Sequence, residues 1–172
     1  LEYKGLRDKA LGMFEEVLDP VIERVAGDKD KVVDYDDLTK WLRHRCGDEL
    51  DLDGLQQAPR EGLFKWVMER VEKLHDARGA EYGADWEAML RFLILDTIDH
   101  KWKDHLYAME VLKAGIGLRG YAQIDPKNEY KKEGFEKFQL LKAEVADHVT
   151  GFLYKREATD TIREVVTGRM RP

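Results

Sequence analysis

Two pairs of residues in this 172-residue sequence have the types and spacing to do chemistry, and a third group that could is missing. Glu72-x-x-His75 has the spacing of one ligand pair of a di-iron helical bundle, and Asp96 and His100 lie four apart, on one face of any helix that holds them. A di-iron centre needs two such pairs and two further carboxylates, and only one pair is present. An ordinary ion pair explains Asp96 and His100 equally well. No metal is therefore expected. The third group is the absent one: no G-x-x-x-x-G-K-[ST] run cradles a triphosphate, so this stretch is expected to hold no cofactor and no catalytic residue. Cys46 is the single cysteine, which leaves no internal disulfide and no cysteine-rich zinc site, and a reducing compartment is the simplest fit.

Other residues could make contacts rather than bonds. Tyr121 stands between Gly120 and Ala122, with Gln123 beyond. Its ring could grip a passing chain without reading its sequence, or fold back on the neighbouring helix ends. Arg119 could reach a partner or neutralise the carboxyl end of a helix. Trp102 and His105 share a helical face, with either a docked domain or the core as their surroundings. Lys127, Lys131 and Lys132, with Glu129 and Glu133 between them, read as a solvated face or as a patch drawn to lipid or a channel.

The elements that must position these residues are helices. Apolar residues at Leu6, Ala10, Phe14, Val17, Val21 and Val25 recur at three and four, predicting a first helix over about 2–26, with a kink or fresh start at Asp19-Pro20. A short helix holds Leu38, Trp41 and Leu42, and 47–57 is acidic and irregular. Pro59 can open a third helix through Leu63, Val67, Val71 and Leu74, and Asp85 can cap a fourth. That fourth helix is predicted from about 86 to 113, with a seam of Leu95, Ile98, Trp102, Leu106, Met109 and Leu112, and is ended by Gly115, Gly117 and Gly120. Asp125-Pro126 starts a fifth, through Phe135, Phe138, Leu141, Val145, Val149 and Phe152. Matched seams and a glycine-containing link predict an antiparallel hairpin, with Leu106 and Phe138 buried where its helices face each other. Residues 158–172 read as a polar tail.

Composition excludes several classes. Residues 1–85 carry 14 Lys+Arg against 21 Asp+Glu, and residues 86–172 carry 15 against 14, so neither half has the basic excess that nucleic acid needs. The shift supports a boundary near residue 85. No apolar run approaches the ~18 residues of a membrane span, and any membrane contact is expected to be peripheral. Leu1 in place of a starting Met reads as a piece of a longer protein.

One stretch is far more specific than composition. Trp102-Lys103-Asp104-His105-Leu106 is followed by Gly115-Ile116-Gly117-Leu118-Arg119-Gly120-Tyr121-Ala122-Gln123-Ile124-Asp125-Pro126, then by Glu129-Tyr130-Lys131-Lys132-Glu133-Gly134-Phe135. This ordered run closely resembles the SecA family of protein-translocating ATPases, in the helical scaffold. Residues 1–85 are similar to the family's helical wing by position and helical content.

The resemblance implies an all-α fold: a small wing (1–85), then a scaffold part (86–157) with a long antiparallel hairpin, the two-helix finger, whose tip falls at about 115–125. It implies that Tyr121, Arg119, Gly120, Ala122 and Gln123 meet preprotein substrates and the SecYEG channel. It further implies that Trp102, His105, Leu106 and Met109 pack against the motor domains of the same parent chain. ATP and Mg2+ would be bound elsewhere in that parent, which would be cytoplasmic and peripherally associated with the inner face of the cell membrane. A homodimer is open. A family zinc tail is not in the sequence, which puts binding of the SecB chaperone in doubt. Two rivals stand beside this reading: a stand-alone helical interaction module, and a bundle enzyme with a carboxylate-metal centre.

Overall fold

The computed structural model describes residues 3–28, 30, 32–119 and 125–168, apart from the side chains of 3, 4 and 117–119. It is all-α among these residues: α1 Tyr3–Ala26, α2 Tyr35–Cys46, α3 Leu63–Tyr82, α4 Ala84–Arg119, α5 Pro126–Leu153 and α6 Arg156–Val166, with 3-10 turns at Leu55–Gln57 and Arg60–Gly62. No described helix is long and apolar enough to cross a membrane. The chain forms two compact units, Leu1–Leu93 with Ala146–Pro172, and Ile94–Val145.

In the first unit, α1 buries Leu6, Ala10, Phe14, Leu18, Val21 and Val25. It runs through Pro20 without the fresh start expected at Asp19. Pro20 and Glu16 are both exposed, so water can take the carbonyl that proline leaves without a donor, while buried Leu18 and Val21 hold the helix on either side. Asp34 caps α2 by accepting the Asp37 N–H at 2.9 Å. Leu50 and Leu55 are buried and pin the irregular acidic stretch. Pro59 opens a 3-10 turn, and α3 proper starts at Leu63.

Gly83, at φ 57°, is the single residue between α3 and α4, a left-handed position that glycine adopts without strain. The helix expected from Trp86 therefore begins at Ala84, and Asp85 accepts from Arg163 Nε at 2.9 Å rather than acting as a cap. Packing divides the chain after Leu93 and before Ala146, not at residue 85 where the charge changes. The reason is apolar: Trp86, Met89 and Leu90 at the start of α4, and Val149, Leu153 and Tyr154 at the end of α5, are all buried in the first unit. An aromatic chain ties its parts together. Phe14 meets Tyr154 edge-on at 5.6 Å, and His75 meets Trp86 at 5.2 Å.

The stretch read as a polar tail contains α6. Thr159 is buried and its hydroxyl donates to the Leu153 carbonyl at 3.0 Å. Tyr82 donates to Asp160 at 2.6 Å, and Arg163 holds Asp85. These anchors are polar, so apolar periodicity does not reveal them.

The second unit is the hairpin. Lys101 Nζ lies 3.1 Å from Glu144, the rings of His105 and Phe138 are 6.1 Å apart, and a Cβ at Gly134 would sit 3.1 Å from Met109 Cε. Rising from 101 through 105 to 109 on α4 thus meets 144, 138 and 134 on α5, which is antiparallel pairing. α4 outlasts the expected end at 113. Leu112 and Ile116 are both buried and carry the inward face past Gly115, so the helix reaches Arg119 and, at 36 residues, is about 54 Å long. α5 starts as expected: Asp125 accepts the Lys127 N–H at 3.0 Å ahead of Pro126.

Candidate functional site

Leu95, Ile98, Trp102 and Leu106 stand on α4 at steps of three and four, which puts them along one side of the helix. All four are exposed, Trp102 at 44% and Leu106 at 49%. On α5, Phe138 is 42% exposed. His105 joins the two helices: its ring lies 5.4 Å from Trp102 and 6.1 Å from Phe138. The result is an apolar stripe along the hairpin, continued across it by an aromatic row.

Leu106 and Phe138 were expected to be buried between the helices, and they are not. The inward positions on α4 are set by Lys101, His105, Met109, Leu112 and Ile116, and Leu106 is turned away from that line. Three- and four-residue spacing identifies an apolar side of a helix but not how much of it a partner covers: Leu112 and Ile116 are buried, while Leu95, Ile98, Trp102 and Leu106 are exposed. Large side chains in a continuous exposed stripe mark a surface made for contact. Ion pairs flank the stripe, including Lys103 with Asp99 at 2.6 Å, where the lysine's hydrogen bond holds the Asp99 carboxyl below its usual range.

Arg119 is the last residue of α4, and its side chain is outside the described residues, as are Gly120, Tyr121, Ala122 and Gln123. Lys127, Lys131 and Lys132 are exposed.

The residues with metal-ligand spacing are engaged elsewhere. Glu72 lies 3.7 Å from Arg7. Trp86 donates its indole N–H to His75 Nε2 at 3.4 Å, so Nδ1 carries the imidazole proton and donates to the Tyr154 oxygen at 3.1 Å. Neither ring nitrogen has a lone pair left for a metal, and burial lowers the His75 pKa to about 4. His100 Nδ1 sits 2.8 Å from the Asp96 carbonyl oxygen on its own helix. Among the described residues, no three His, Cys, Asp or Glu side chains are grouped as a metal would need. Cys46 is buried and its thiol is pushed up to about 12, which leaves it unreactive.

The sequence reading missed an ionic cluster in the first unit. Arg156 donates to both Glu49 and Glu81, at 2.7 Å for the Glu81 Oε1 bond, and these two carboxylates also flank Arg78, whose side chain is 1% exposed. Only the three-residue step from Arg78 to Glu81 was visible in advance. The other partners are far apart in sequence.

Residues 1–157 match the family described as the SecA wing and scaffold domain. Among curated proteins, the chain is 33% identical over 165 residues to the protein translocase subunit SecA of Leptospira biflexa, covering 92% of this chain and 18% of that protein. It is 35% identical over 156 residues to the same-named subunit of Thermodesulfovibrio yellowstonii, covering 90% and 17%. A third match, to the Myxococcus xanthus subunit, is 45% identical over 107 residues, covering 62% and 11%. The chain therefore spans less than a fifth of the length of these relatives.

Proposed function

The chain belongs to the SecA wing and scaffold family, and from that premise we propose that its hairpin couples an ATP-driven motor, elsewhere in the parent protein, to movement of preprotein through the SecYEG channel. The observation that carries this reading is the uncovered stripe of Leu95, Ile98, Trp102 and Leu106, continued through His105 to Phe138. An apolar surface of that length on a paired helix is what a scaffold needs to hold other domains of its own chain. In this reading Trp102, His105, Leu106 and Met109 are the motor-docking residues, and the docked hairpin helps restrain the ATPase. ATP and Mg2+ belong to the motor and not to this segment. Nucleic acid is not a partner.

Arg119, Gly120, Tyr121, Ala122 and Gln123, at the link between α4 and α5, contact the preprotein and the channel mouth. An aromatic ring flanked by small residues offers contact area to any extended chain, which suits a device that moves unrelated sequences. The parent works in the cytoplasm, peripherally at the inner face of the membrane, and a homodimer is compatible with this role. The test is preprotein protected from protease in vesicles that contain the channel. With Tyr121→Ala in the full-length parent, transport falls several-fold, and with Tyr121→Phe most of it remains. Full transport by the alanine variant would remove the contact role of the link.

A further inference from the structure

We propose that α6 is a charge-latched strap over the corner between α3 and α4, one that opens and reseats as a unit while the rest of the first unit stays folded.

The apolar packing under α6 is slight. Isolated helices shorter than about 12 residues are marginal in water, so the 11 residues of α6 are held in place by what they touch. Thr159 alone among them is buried. Its hydroxyl reaches back to the Leu153 and Lys155 carbonyls, at the root of α6 rather than along its length. Ala158, Ile162 and Val166 are half-buried, and Val165 is exposed.

The bonds that reach from α6 to the rest of the unit join polar or charged side chains. Arg156 donates to Glu49 and Glu81, the Tyr82 hydroxyl donates to Asp160 at 2.6 Å, and Arg163 Nε donates to Asp85 at 2.9 Å. The Arg163 guanidinium also stands 5.3 Å from the centre of the Tyr82 ring. The Arg156 hydrogen bond holds the Glu81 carboxyl below its usual range, as a charged pair requires. Apart from Glu49, the partners fall within four residues of one another, on either side of Gly83 where α3 gives way to α4. The side chains of the ion pairs, Arg156, Glu49, Glu81, Arg163 and Asp85, are 34–47% exposed, so dissolved salt reaches every one of them.

The break that lets α6 swing is Lys155, in extended backbone between buried Tyr154 and the first turn. What the strap covers is Tyr82, which is 4% exposed and stacked on Trp86 with ring centres 5.9 Å apart. Opening uncovers that ring and frees Asp85, while Trp86 keeps its bond to His75. The first turn of α4 is then held from one side instead of two.

The experiment is amide hydrogen exchange of the 172-residue chain at matched pH in about 0.05 M and about 1 M sodium chloride, where charges are screened beyond about 3 Å. A free peptide of residues 156–168 corrects for the effect of salt on the exchange chemistry. Amides of α6 are expected to exchange about tenfold faster in the higher salt while those of α1 and α3 do not change, because a locally opening segment exchanges on its own. In low salt, Arg163→Gln and Asp85→Asn should each speed α6 exchange several-fold, and the double variant should go no further than Arg163→Gln, since the two residues form one latch. Exchange of α6 that ignores salt, that keeps step with α1 and α3, or that already runs at the rate of the free peptide in low salt overturns the strap. So do additive effects of the two substitutions.

Discussion

The indole N–H of Trp86 is directed at Nε2 of His75, 3.4 Å away, so the first residues of α4 are fastened to α3 by a bond that requires a neutral imidazole. Protonation would put a second donor against the indole and a charge into a buried aromatic cluster. The ordinary histidine pKa of 6.5 falls to about 4 in the fold. A group whose folded pKa is depressed binds its proton more readily when unfolded. His75 therefore favours the folded state fully above about pH 6.5, and this contribution is lost as pH falls toward 4. The shift is worth about 3 kcal/mol. Urea melts between pH 7.5 and 4 are expected to show a steep loss that is flattened in His75→Phe, measured against the parent at each pH. Parallel pH profiles for the two proteins would contradict this.

Leu106→Ala and Phe138→Ala should each cost the isolated chain under about 1 kcal/mol, because both side chains are half in solvent already. The same substitutions, with Trp102→Ala, should weaken recapture of the segment by a parent protein lacking it, read as association in trans. A loss of 2–5 kcal/mol in denaturant melts, the scale of a packed core, would show instead that the stripe is internal.

Gly134→Ala is expected to stabilise the hairpin by up to about 1 kcal/mol. Alanine has the higher helix propensity, and the atom its Cβ approaches, at 3.1 Å, is the flexible end of Met109. Gly134→Val adds bulk that a rotamer change of Met109 cannot clear, and should lower the melting temperature. A destabilised alanine variant would mean that Met109 is locked in place.

Removing residues 156–172 should destabilise the first unit by about 2 kcal/mol or more, since Tyr82, Asp85, Glu49 and Glu81 lose their partners on α6. Thr159→Val isolates one component, the hydroxyl shared between the Leu153 and Lys155 carbonyls. A truncated chain that melts with the parent would make α6 an appendage.

Helices whose signals are local were legible in the sequence. Asp125-Pro126 marks the start of α5, and the apolar spacing of Leu38, Trp41 and Leu42 marks α2. Where a distant partner decides the outcome, local reading failed. Gly115 looks like a stop until Leu112 and Ile116 are seen buried on either side of it, and Asp85 looks like a cap until Arg163 is found beside it. The seam on α4 was read correctly as apolar and its later part, Met109 and Leu112, does face inward, but Leu95, Ile98, Trp102 and Leu106 stay exposed, because periodicity gives a direction on a helix and not what lies there. The Arg78 cluster joins residues 49, 78, 81 and 156, and no single window contains it.

The lone cysteine has a practical consequence. Cys46 is fully enclosed with its thiol held protonated, so a maleimide added to the folded chain has nothing to react with until the first unit opens. Its labelling rate is then a clock for that opening, read by mass alone. A second cysteine placed at exposed Lys127 would take a fluorophore within minutes while Cys46 stayed dark, giving a singly tagged hairpin without removing the native cysteine.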